Sequence, residues 1–396
     1  MTRYKERALE MVERAEEDIK ALCCYIHEHP ELGFQEVKSS KAIANLLETY
    51  GFQVEMGVGG IETAFRAEAD TGKEGPVIGF LCEYDALPGI GHGCGHNIIG
   101  SASAGAAIAA FEAAQMAGGK IVVIGTPAEE GSGGGKELLL RAGVMDDLDC
   151  AMMSHPGPWT SVGGTSLAIQ AMRFTFHGRA SHASATPELG ISALEAVIQM
   201  FNQVNALRTF LPVDSRVNGI ITKGGVAPNI IPDECEAVFN IRADSKKNLK
   251  RMIERISDCA KAAALGSGCT VQMEPVGIGY DEIIPNDTLL KLLEENLTLL
   301  GETIDKREQG RPLASTDIGN VTHHIPAFQA MFRAAEDRPI PHSLEFTRAC
   351  GGEKGAQLAV RISRVLSCVA CDILEHPAYI QQAKEELNQK TIGEQS

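Results

Sequence analysis

The chain has 396 residues, which predicts two or three domains at about 150 residues each. Its 36 basic and 52 acidic side chains give a formal charge of −16, which argues against a nucleic-acid partner because the protein's field repels a polyanion. Hydrophobic residues make up 44% and charged residues 22%, values that are typical of a globular chain and argue against a disordered or fibrous one.

The first twenty residues are densely charged and lack the apolar segment of a secretory signal peptide. The least polar stretch, residues 101–114, is short for a membrane span and contains Glu112. We therefore expect a cytoplasmic protein that does not enter a membrane. The eleven cysteines are an odd number with no sign of an oxidising compartment, so we expect free thiols with one possible metal ligand among them.

The first part of the chain alternates helices and strands. Helices are predicted at 3–28, 36–50, 97–116 and 135–142, and strands at 76–85, 120–130 and 149–158. This alternation predicts an α/β fold with a mainly parallel sheet covered by helices. Ligands bind at the carboxyl ends of such strands, which is where the sequence places Asp85, Glu129, Glu130 and His155.

Residues 167–280 follow a different pattern. Their predicted elements run in the order βαββαβ, which is typical of a ferredoxin-like unit. The earlier mix then resumes, with a strand at 326–334 and a long helix at 352–374. We therefore predict a sheet domain formed by residues 1–166 and 281–396, interrupted by an inserted domain of residues 167–280.

The densest group of possible ligands lies in a glycine-rich loop, GIGHGCGHNIIG at 89–100. His92, Cys94 and His96 alternate there, just before a predicted helix. Glycines let a backbone turn tightly around an ion, and thiolate and imidazole suit zinc and similar metals. The alternative is a glycine-rich helix entry with incidental histidines.

Two adjacent carboxylates, Glu129 and Glu130, follow the second predicted strand in TPAEEGSGGG. Such a pair can divide its work, one carboxylate binding a metal while the other moves a proton. A pair of glutamates is more often solvated surface, but its place at a strand end favours a site. The glycines after it are not a phosphate loop, because Lys136 is followed by Glu137 instead of serine or threonine.

Two further histidines, His155 and His342, extend the set of possible donors, although each alone is more often an ordinary loop histidine. Together with Cys94, His96 and Glu130 they make five donors. Five is too many for one closed tetrahedral zinc and suits two metals that share a bridging ligand. A two-metal hydrolase is therefore the leading hypothesis.

Other catalytic patterns are absent from the sequence. It contains no G-x-S-x-G nucleophile elbow, no H-E-x-x-H zinc motif and no G-x-G-x-x-G dinucleotide fingerprint. Cys368 and Cys371 have the spacing of a redox or zinc pair, but they lie in a predicted helix with no second pair nearby. We interpret them as core residues.

These residues resemble the dinuclear metallo-carboxypeptidase and aminoacylase family. More narrowly, they resemble its amidohydrolase branch, which contains auxin-conjugate hydrolases, p-aminobenzoyl-glutamate hydrolase and the β-alanyl-lysine dipeptidase group. The likeness runs along nearly the whole chain. It rests on HEHPELGFQE at 27, YDALP at 84, HGCGHN at 92, GTPAEE at 125, HPGP at 155, GRASHAS at 178, GGVAPNIIPD at 224, STDIGNV at 315 and PHSLEF at 341.

The resemblance implies a role for each candidate in the first and last parts of the chain. Cys94 would bridge two divalent cations, and the other four donors would complete their ligand shells: His96, Glu130, His155 and His342. Zinc is the expected metal, and manganese or cobalt would also suit these donors. Glu129 would be the general base, and Asp85 would orient a ligand.

For the inserted domain, the resemblance implies a lid that also forms a homodimer. His182 of GRASHAS would reach across that dimer to stabilise the oxyanion of the tetrahedral intermediate. Asn229 and Arg242 would bind substrate, Arg242 by clamping its carboxylate.

We therefore expect a metal-dependent amidohydrolase that cleaves the amide bond of an N-acyl amino acid or of a dipeptide with a free carboxylate. The alternatives are an exopeptidase acting on longer peptides and a non-catalytic binding protein with the same fold. The chain departs from the branch at two positions, having Asn97 and Glu83 where aspartates are common. Asn97 is shared with the p-aminobenzoyl-glutamate and β-alanyl-lysine groups, which favours a substrate other than a plain auxin conjugate.

Overall fold

The computed structural model describes residues 1–305 and 314–395. The chain forms two compact units. The first comprises the described parts of residues 1–165, 283–311 and 317–396, and the second comprises those of residues 166–282 and 312–316. Within these described ranges, no helix is both long enough and apolar enough to cross a membrane.

The first unit opens with α1 (Arg3–Glu28), as the sequence predicts. The Thr2 hydroxyl caps this helix by accepting a hydrogen bond from the Lys5 amide at 3.4 Å. Apolar side chains recur every three or four residues and are buried, which gives the helix one core-facing stripe: Ala8, Val12, Ala15, Ile19, Leu22 and Ile26.

The chain then alternates strands and helices up to residue 157. In order, these elements are α2 (Val37–Thr49), β1 (Gln53–Met56), β2 (Phe65–Asp70), β3 (Val77–Cys82), α3 (His96–Ala117), β4 (Lys120–Gly125), α4 (Gly135–Arg141) and β5 (Cys150–Gly157). The strands β3, β4 and β5 are short apolar runs with buried side chains on both faces, as expected for the centre of a parallel sheet.

The second unit is a four-stranded antiparallel sheet with two helices on one face. Its elements are β6 (Ala168–His177), β7 (Ser181–His182), α5 (Ala193–Leu207), β8 (Arg216–Lys223), β9 (Ile230–Ile231), β10 (Glu234–Ala243), α6 (Lys246–Ser267) and β11 (Thr270–Tyr280). The main sheet has the order β11-β6-β10-β8, and β7 pairs separately with β9. Alternate residues of β6 and β10 pack against α5 and α6, and the βαββαβ prediction is confirmed.

The chain then returns to the first unit with α7 (Asp287–Leu299), α8 (Ile318–Thr322), β12 (Ala327–Arg333), α9 (Leu344–Cys350), α10 (Gly352–Glu375) and α11 (Ala378–Gln395). The sheet of this unit has the order β1-β2-β4-β3-β5-β12. β3, β4, β5 and β12 are parallel, whereas β1 and β2 pair in antiparallel fashion at one side. The α/β prediction is confirmed, although the sequence pattern does not predict β1 and β2.

Helices cover both faces of this sheet. In β4, Ile121 and Val123 belong to the core shared with α1, α3 and α10, while Val122 and Ile124 belong to the core shared with α4 and α8. Gly105 lets α3 approach its neighbours, because a Cβ there would lie 2.6 Å from the side chains of both Ile19 and Ser363.

The parallel strands deliver the candidate residues to one edge of the sheet. β3 ends at Cys82, so that Asp85 lies in the loop after it, and β4 ends at Gly125, just before Glu129. Both strands are shorter than predicted, because their polar last residues leave the ladder. His155 lies inside β5 and not after it, since β5 continues to pair with β12 as far as Gly157.

Candidate metal centre

The loop between β3 and α3 positions Cys94 and His96. Gly95 between them has φ +81°, a left-handed conformation that favours glycine. A Cβ at this position would also lie 2.4 Å from Pro156 and 2.9 Å from the Cys350 sulfur. Both the backbone conformation and the lack of space therefore require glycine at position 95. The turn at Gly95 lets α3 begin at His96.

The five predicted metal donors come together in the first unit. The Cys94 Sγ lies 3.4 Å from the His155 Nε2, and the His342 Nε2 lies 3.2 Å from a Glu130 oxygen. The His342 amide donates to the Gly93 carbonyl at 2.8 Å, which fixes this distant segment beside the cysteine loop.

The donor atoms form overlapping groups whose members all lie within 4.8 Å of one another. One group is Cys94, His96 and His155, and another is Cys94, Glu130 and His342. Cys94 is common to both, which is the position of a ligand that bridges two ions. A third group joins His96 and Glu130 with Glu129, so that geometry alone leaves Glu129 a possible ligand as well.

Neighbouring groups orient His96 and His155. The Nδ1 of His96 lies 3.0 Å from an Asp85 oxygen, and the Nδ1 of His155 lies 2.7 Å from the Pro156 carbonyl. Each Nδ1–H donates to its partner, which leaves the lone pair of Nε2 for a ligand. Asp85 is therefore in direct contact with His96.

These residues fit a pair of divalent cations. The Nε2 of His96 is buried and makes no hydrogen bond with the described residues, as expected of a nitrogen aimed at an ion. Two ligands of one tetrahedral zinc lie roughly 3.3–3.7 Å apart, close to the 3.4 Å from Cys94 to His155 and the 3.2 Å from His342 to Glu130. Thiolate, imidazole and carboxylate donors suit zinc, manganese or cobalt.

The electrostatics of the site differ between its two adjacent glutamates. Burial, together with the carboxylates of Glu83 and Asp317, raises the pKa of Glu129 well above its usual value. Burial also opposes ionisation of Glu130, but His342 and His96 together outweigh it and lower the pKa of Glu130. Glu130 is therefore the anionic partner of a histidine, whereas Glu129 holds a proton more readily than an ordinary carboxylate, which is the character of a group that exchanges protons.

A buried charged cluster that the sequence hypotheses missed lies beside these residues. The Lys136 ammonium contacts carboxylate oxygens of both Glu83 and Asp317 at 2.5 Å, and all three side chains are buried. The other oxygen of Glu83 lies 3.3 Å from the His96 Nε2. The signals were present, since Lys136 follows the glycine loop and Glu83 occupies an unusual position, but residues 83, 136 and 317 are far apart in the chain.

His92 belongs to none of these groups. It is buried, and burial together with the neighbouring His96 and His27 lowers the pKa of His92 to about 3, so it is neutral. Its ring lies 6.3 Å from that of His27. It is also not among the five donors that the sequence analysis combines into a two-metal site.

In the second unit, His182 and Asn229 lie close together. His182 pairs with Ile230 across β7 and β9, and the Ala183 amide donates to the Asn229 carbonyl at 3.0 Å. The Nδ1 of His182 accepts from the Ala185 amide at 3.2 Å, so a neutral ring carries its proton on Nε2. This exposed histidine therefore offers an N–H donor to a ligand.

Arg242 lies on β10 and is half-buried. One guanidinium nitrogen donates to the Ser315 hydroxyl at 2.8 Å, which holds the side chain in place. Burial lowers the pKa of Arg242, but the group remains a cation.

Residues 168–267 match a family model described as a peptidase dimerisation domain. The chain is 35% identical to an Xaa-Arg dipeptidase of Mus musculus, over 99% of this chain and 94% of that protein. It is 34% identical to a p-aminobenzoyl-glutamate hydrolase subunit of Escherichia coli, over 85% of this chain and 70% of that protein. The chain belongs to the M20 peptidase family. This confirms the resemblance of its motifs and makes it a metal-dependent hydrolase of the peptidase and amidohydrolase class.

Two solved structures share its fold. A dinuclear metal-binding peptidase of the M20 family from Bacillus subtilis superposes with a TM-score of 0.71 at 22% identity, over 92% of this chain and 99% of that one. An aminobenzoyl-glutamate utilisation protein from Klebsiella pneumoniae gives a TM-score of 0.69 at 20% identity, over 92% and 97%.

Proposed function

We propose that this M20 protein hydrolyses the amide bond of dipeptides or N-acyl amino acids that carry a free carboxylate. The observation that carries the proposal is the Cys94-centred donor set, with a buried proton-exchanging Glu129 beside it. The substrate class is supported by the names of the two relatives, because arginine and glutamate each present a free carboxylate next to the amide that is cleaved.

The two cations would be held by Cys94, His96, Glu130, His155 and His342, with Cys94 shared between them. Zinc is our proposed metal, and manganese or cobalt are the alternatives. When bound, the pair supplies Lewis acidity that polarises the substrate carbonyl and activates water. Asp85 holds His96 in the tautomer that this arrangement needs.

Glu129 is the proposed general base. Its carboxylate accepts a proton from the attacking water and then delivers it to the nitrogen of the leaving amine. A Glu129 oxygen lies 4.0 Å from the His96 Nε2, so the group is within reach of the centre. Its raised pKa favours the second step, in which the carboxyl group acts as an acid.

The second unit supplies the proposed contacts to the rest of the substrate. Arg242 would form paired hydrogen bonds with the substrate carboxylate, and Asn229 would bind a polar group nearby. His182, as an Nε2–H donor, would stabilise the oxyanion in the site of the partner protomer. We propose the division 1–166, 167–280 and 281–396 for the domains, with the second as the lid, and the cytoplasm as the location.

We propose that the homodimer forms through β8 of the second unit. β8 is an edge strand whose residues Ile220 and Ile221 are 65% and 43% exposed, and an open apolar edge favours pairing with another strand. Ile220→Asp is expected to give monomers in analytical ultracentrifugation. These monomers should keep their metal but lose activity by about 10²-fold or more, which is the usual effect of removing one hydrogen-bond donor to the oxyanion. Leu265→Asp, an exposed apolar position on α6, is the control and should remain dimeric. Monomers with full turnover would refute the role of His182 across the dimer.

The experiment that tests the function compares wild type with Glu129→Ala and Glu130→Ala, on a panel of dipeptides, N-acyl amino acids and longer peptides. Wild type should hydrolyse the first two classes and hold about two metals per chain. Glu129→Ala should keep both metals and lose about 10²–10⁴ in turnover, whereas Glu130→Ala should lose metal. If Glu129→Ala loses metal, Glu129 is a metal ligand and not the general base. A preference for longer peptides would indicate a carboxypeptidase, and metal binding with no hydrolysis would indicate a binding protein.

A further inference from the structure

The turn that leads into Glu129 contains a residue in an unfavourable conformation. Ala128 has φ +57°, in the left-handed region that side-chain-bearing residues rarely adopt. Such a conformation persists only where the surrounding structure holds it, and it is found most often at functional sites. Because Glu129 follows directly, the conformation of Ala128 determines where its carboxylate points.

The group that holds Ala128 is the carboxyl group of Glu36, from the HEHPELGFQE motif to which the proposed function gives no role. One Glu36 oxygen accepts a hydrogen bond from the Ala128 amide at 2.9 Å. The other accepts from the Thr63 hydroxyl at 2.8 Å. Glu36 is fully buried, and the carbonyl of Thr63 is itself bound by the Tyr84 hydroxyl at 2.6 Å, so the carboxyl group has a fixed position.

The same motif also packs against the turn through its backbone. A Cβ at Gly33 would lie 2.9 Å from the Cβ of Ala128, so the absence of a side chain there permits the close approach. On the far side of Glu129, the Glu130 amide donates to the second oxygen of Asp85 at 3.0 Å. The two amides that flank Glu129 are thus each held by a buried carboxylate, one from Glu36 and one from Asp85.

We propose that Glu36 is a positioning residue of the reaction, which sets the orientation of Glu129 by holding the left-handed turn at Ala128. This inference rests on the proposed role of Glu129 as general base. Glu36 acts through the backbone of another residue, because the hydrogen bonds of its carboxyl group within the described part of the chain go to Ala128 and Thr63 and to none of the five proposed metal donors. A purely structural carboxylate would contribute to stability alone, whereas a positioning residue affects turnover while metal binding and substrate affinity are unchanged.

Variants at position 36 separate the hydrogen bond from the charge. Glu36→Gln keeps an oxygen for the Ala128 amide and should retain turnover within about threefold. Glu36→Ala removes the acceptor and should lower kcat by about 10²-fold with little change in KM or metal content, as expected for a catalytic group displaced by about 1 Å. Glu36→Asp keeps the carboxyl group but is one methylene shorter, so it should lose kcat even if Glu36→Ala does not fold.

Glu31→Ala is the matched control from the same loop. The Glu31 carboxylate also accepts backbone amides, those of Lys38 and Ser39 at 2.9–3.0 Å, but these begin α2 and are remote in sequence from the Ala128 turn. This variant should lower the melting temperature and leave kcat unchanged. Hydrogen exchange of the 127–131 peptide should be faster in Glu36→Ala than in wild type or in Glu31→Ala.

A double-variant cycle tests whether Glu36 acts through Glu129. In the Glu129→Ala background, Glu36→Ala should cause no further loss of turnover, because there is no base left to position. Full kcat in both Glu36→Asp and Glu36→Ala, or losses that multiply in the double variant, would overturn the inference while the function stands. Full activity of Glu129→Ala would instead overturn the proposed function, and the inference with it.

Discussion

Replacing Lys136 by methionine tests the buried charged cluster most severely. Methionine has a similar length and no charge, so Glu83 and Asp317 would remain buried without their common cation. Burial disfavours the charged lysine, but Asp317 and Glu83 together hold the pKa of Lys136 above its ordinary value, so the native group is an ammonium.

The expected loss of stability in Lys136→Met follows from the geometry of the cluster. Lys136 is fully buried and contacts both carboxylates at 2.5 Å, and breaking a buried pair costs about 3–5 kcal/mol because it leaves an uncompensated charge. For a unit of about 270 residues this corresponds to a fall of roughly 5–9 °C in melting temperature. The measurement is scanning calorimetry of the metal-loaded full chain, with Lys136→Met/Asp317→Asn expected to regain part of the loss.

Lys384→Met is the matched control. Lys384 also contacts a carboxylate, that of Asp149, at 2.5 Å, but its side chain is 43% exposed. Exposed pairs contribute about 0–1 kcal/mol, so its melting temperature should fall by less than about 2 °C. Equal shifts for the two variants would refute the reasoning that burial makes the Lys136 contacts costly to break.

Three further predictions concern pH, metal content and substrate binding. Burial raises the pKa of Glu36 from its ordinary 4.5 to about 7, so between these values the folded protein holds a proton that the unfolded chain has released. The free energy of unfolding, measured on metal-free protein, should therefore fall by about 3 kcal/mol more in wild type than in Glu36→Gln as pH rises from 4.5 to 8. An equal dependence of this free energy on pH in the two proteins would contradict the raised pKa of Glu36. Cys94→Ser should weaken both metal equivalents by at least about tenfold in chelator competition, whereas His155→Ala should weaken one; loss of a single equivalent from Cys94→Ser would argue against a bridge. Arg242→Lys should raise KM by roughly tenfold or more for substrates with a free carboxylate and leave their amidated forms unchanged, and an equal effect on both would exclude the clamp.

The positions of Asp85 and Glu129 after neighbouring strands were predictable because local patterns determine them, although the strands themselves end earlier than predicted. Apolar runs that finish in polar residues placed Asp85 and Glu129 at one edge of a parallel sheet, where loops from neighbouring strands meet. The glycine-rich loop marked Cys94 and His96 in the same way. For His342 the residues alone left its role open, and the family resemblance supplied it, because the sequence does not show which distant loop returns to the site.

What could not be predicted depends on contacts between distant segments. From the sequence alone, Lys136 resembles a surface lysine that follows a glycine loop. In the fold, Glu83 after β3 and Asp317 before α8 lie beside it. The left-handed turn at Ala128 has no signal of its own, since alanine is not a turn residue, and only the buried carboxyl of Glu36 explains it. Strand β1 was missed because a short and mostly exposed strand carries little periodicity. Strand β2 was missed because two of its three buried residues are alanines, Ala67 and Ala69, which give a weak hydrophobic signal.

Anomalous diffraction from crystals of the metal-loaded protein would show whether Cys94 bridges two metal ions. We expect two peaks on either side of the Cys94 sulfur, each about 2.3 Å from it, one close to His96 and His155 and the other close to Glu130 and His342. A single peak, or two peaks of which only one contacts Cys94, would contradict this bridging role.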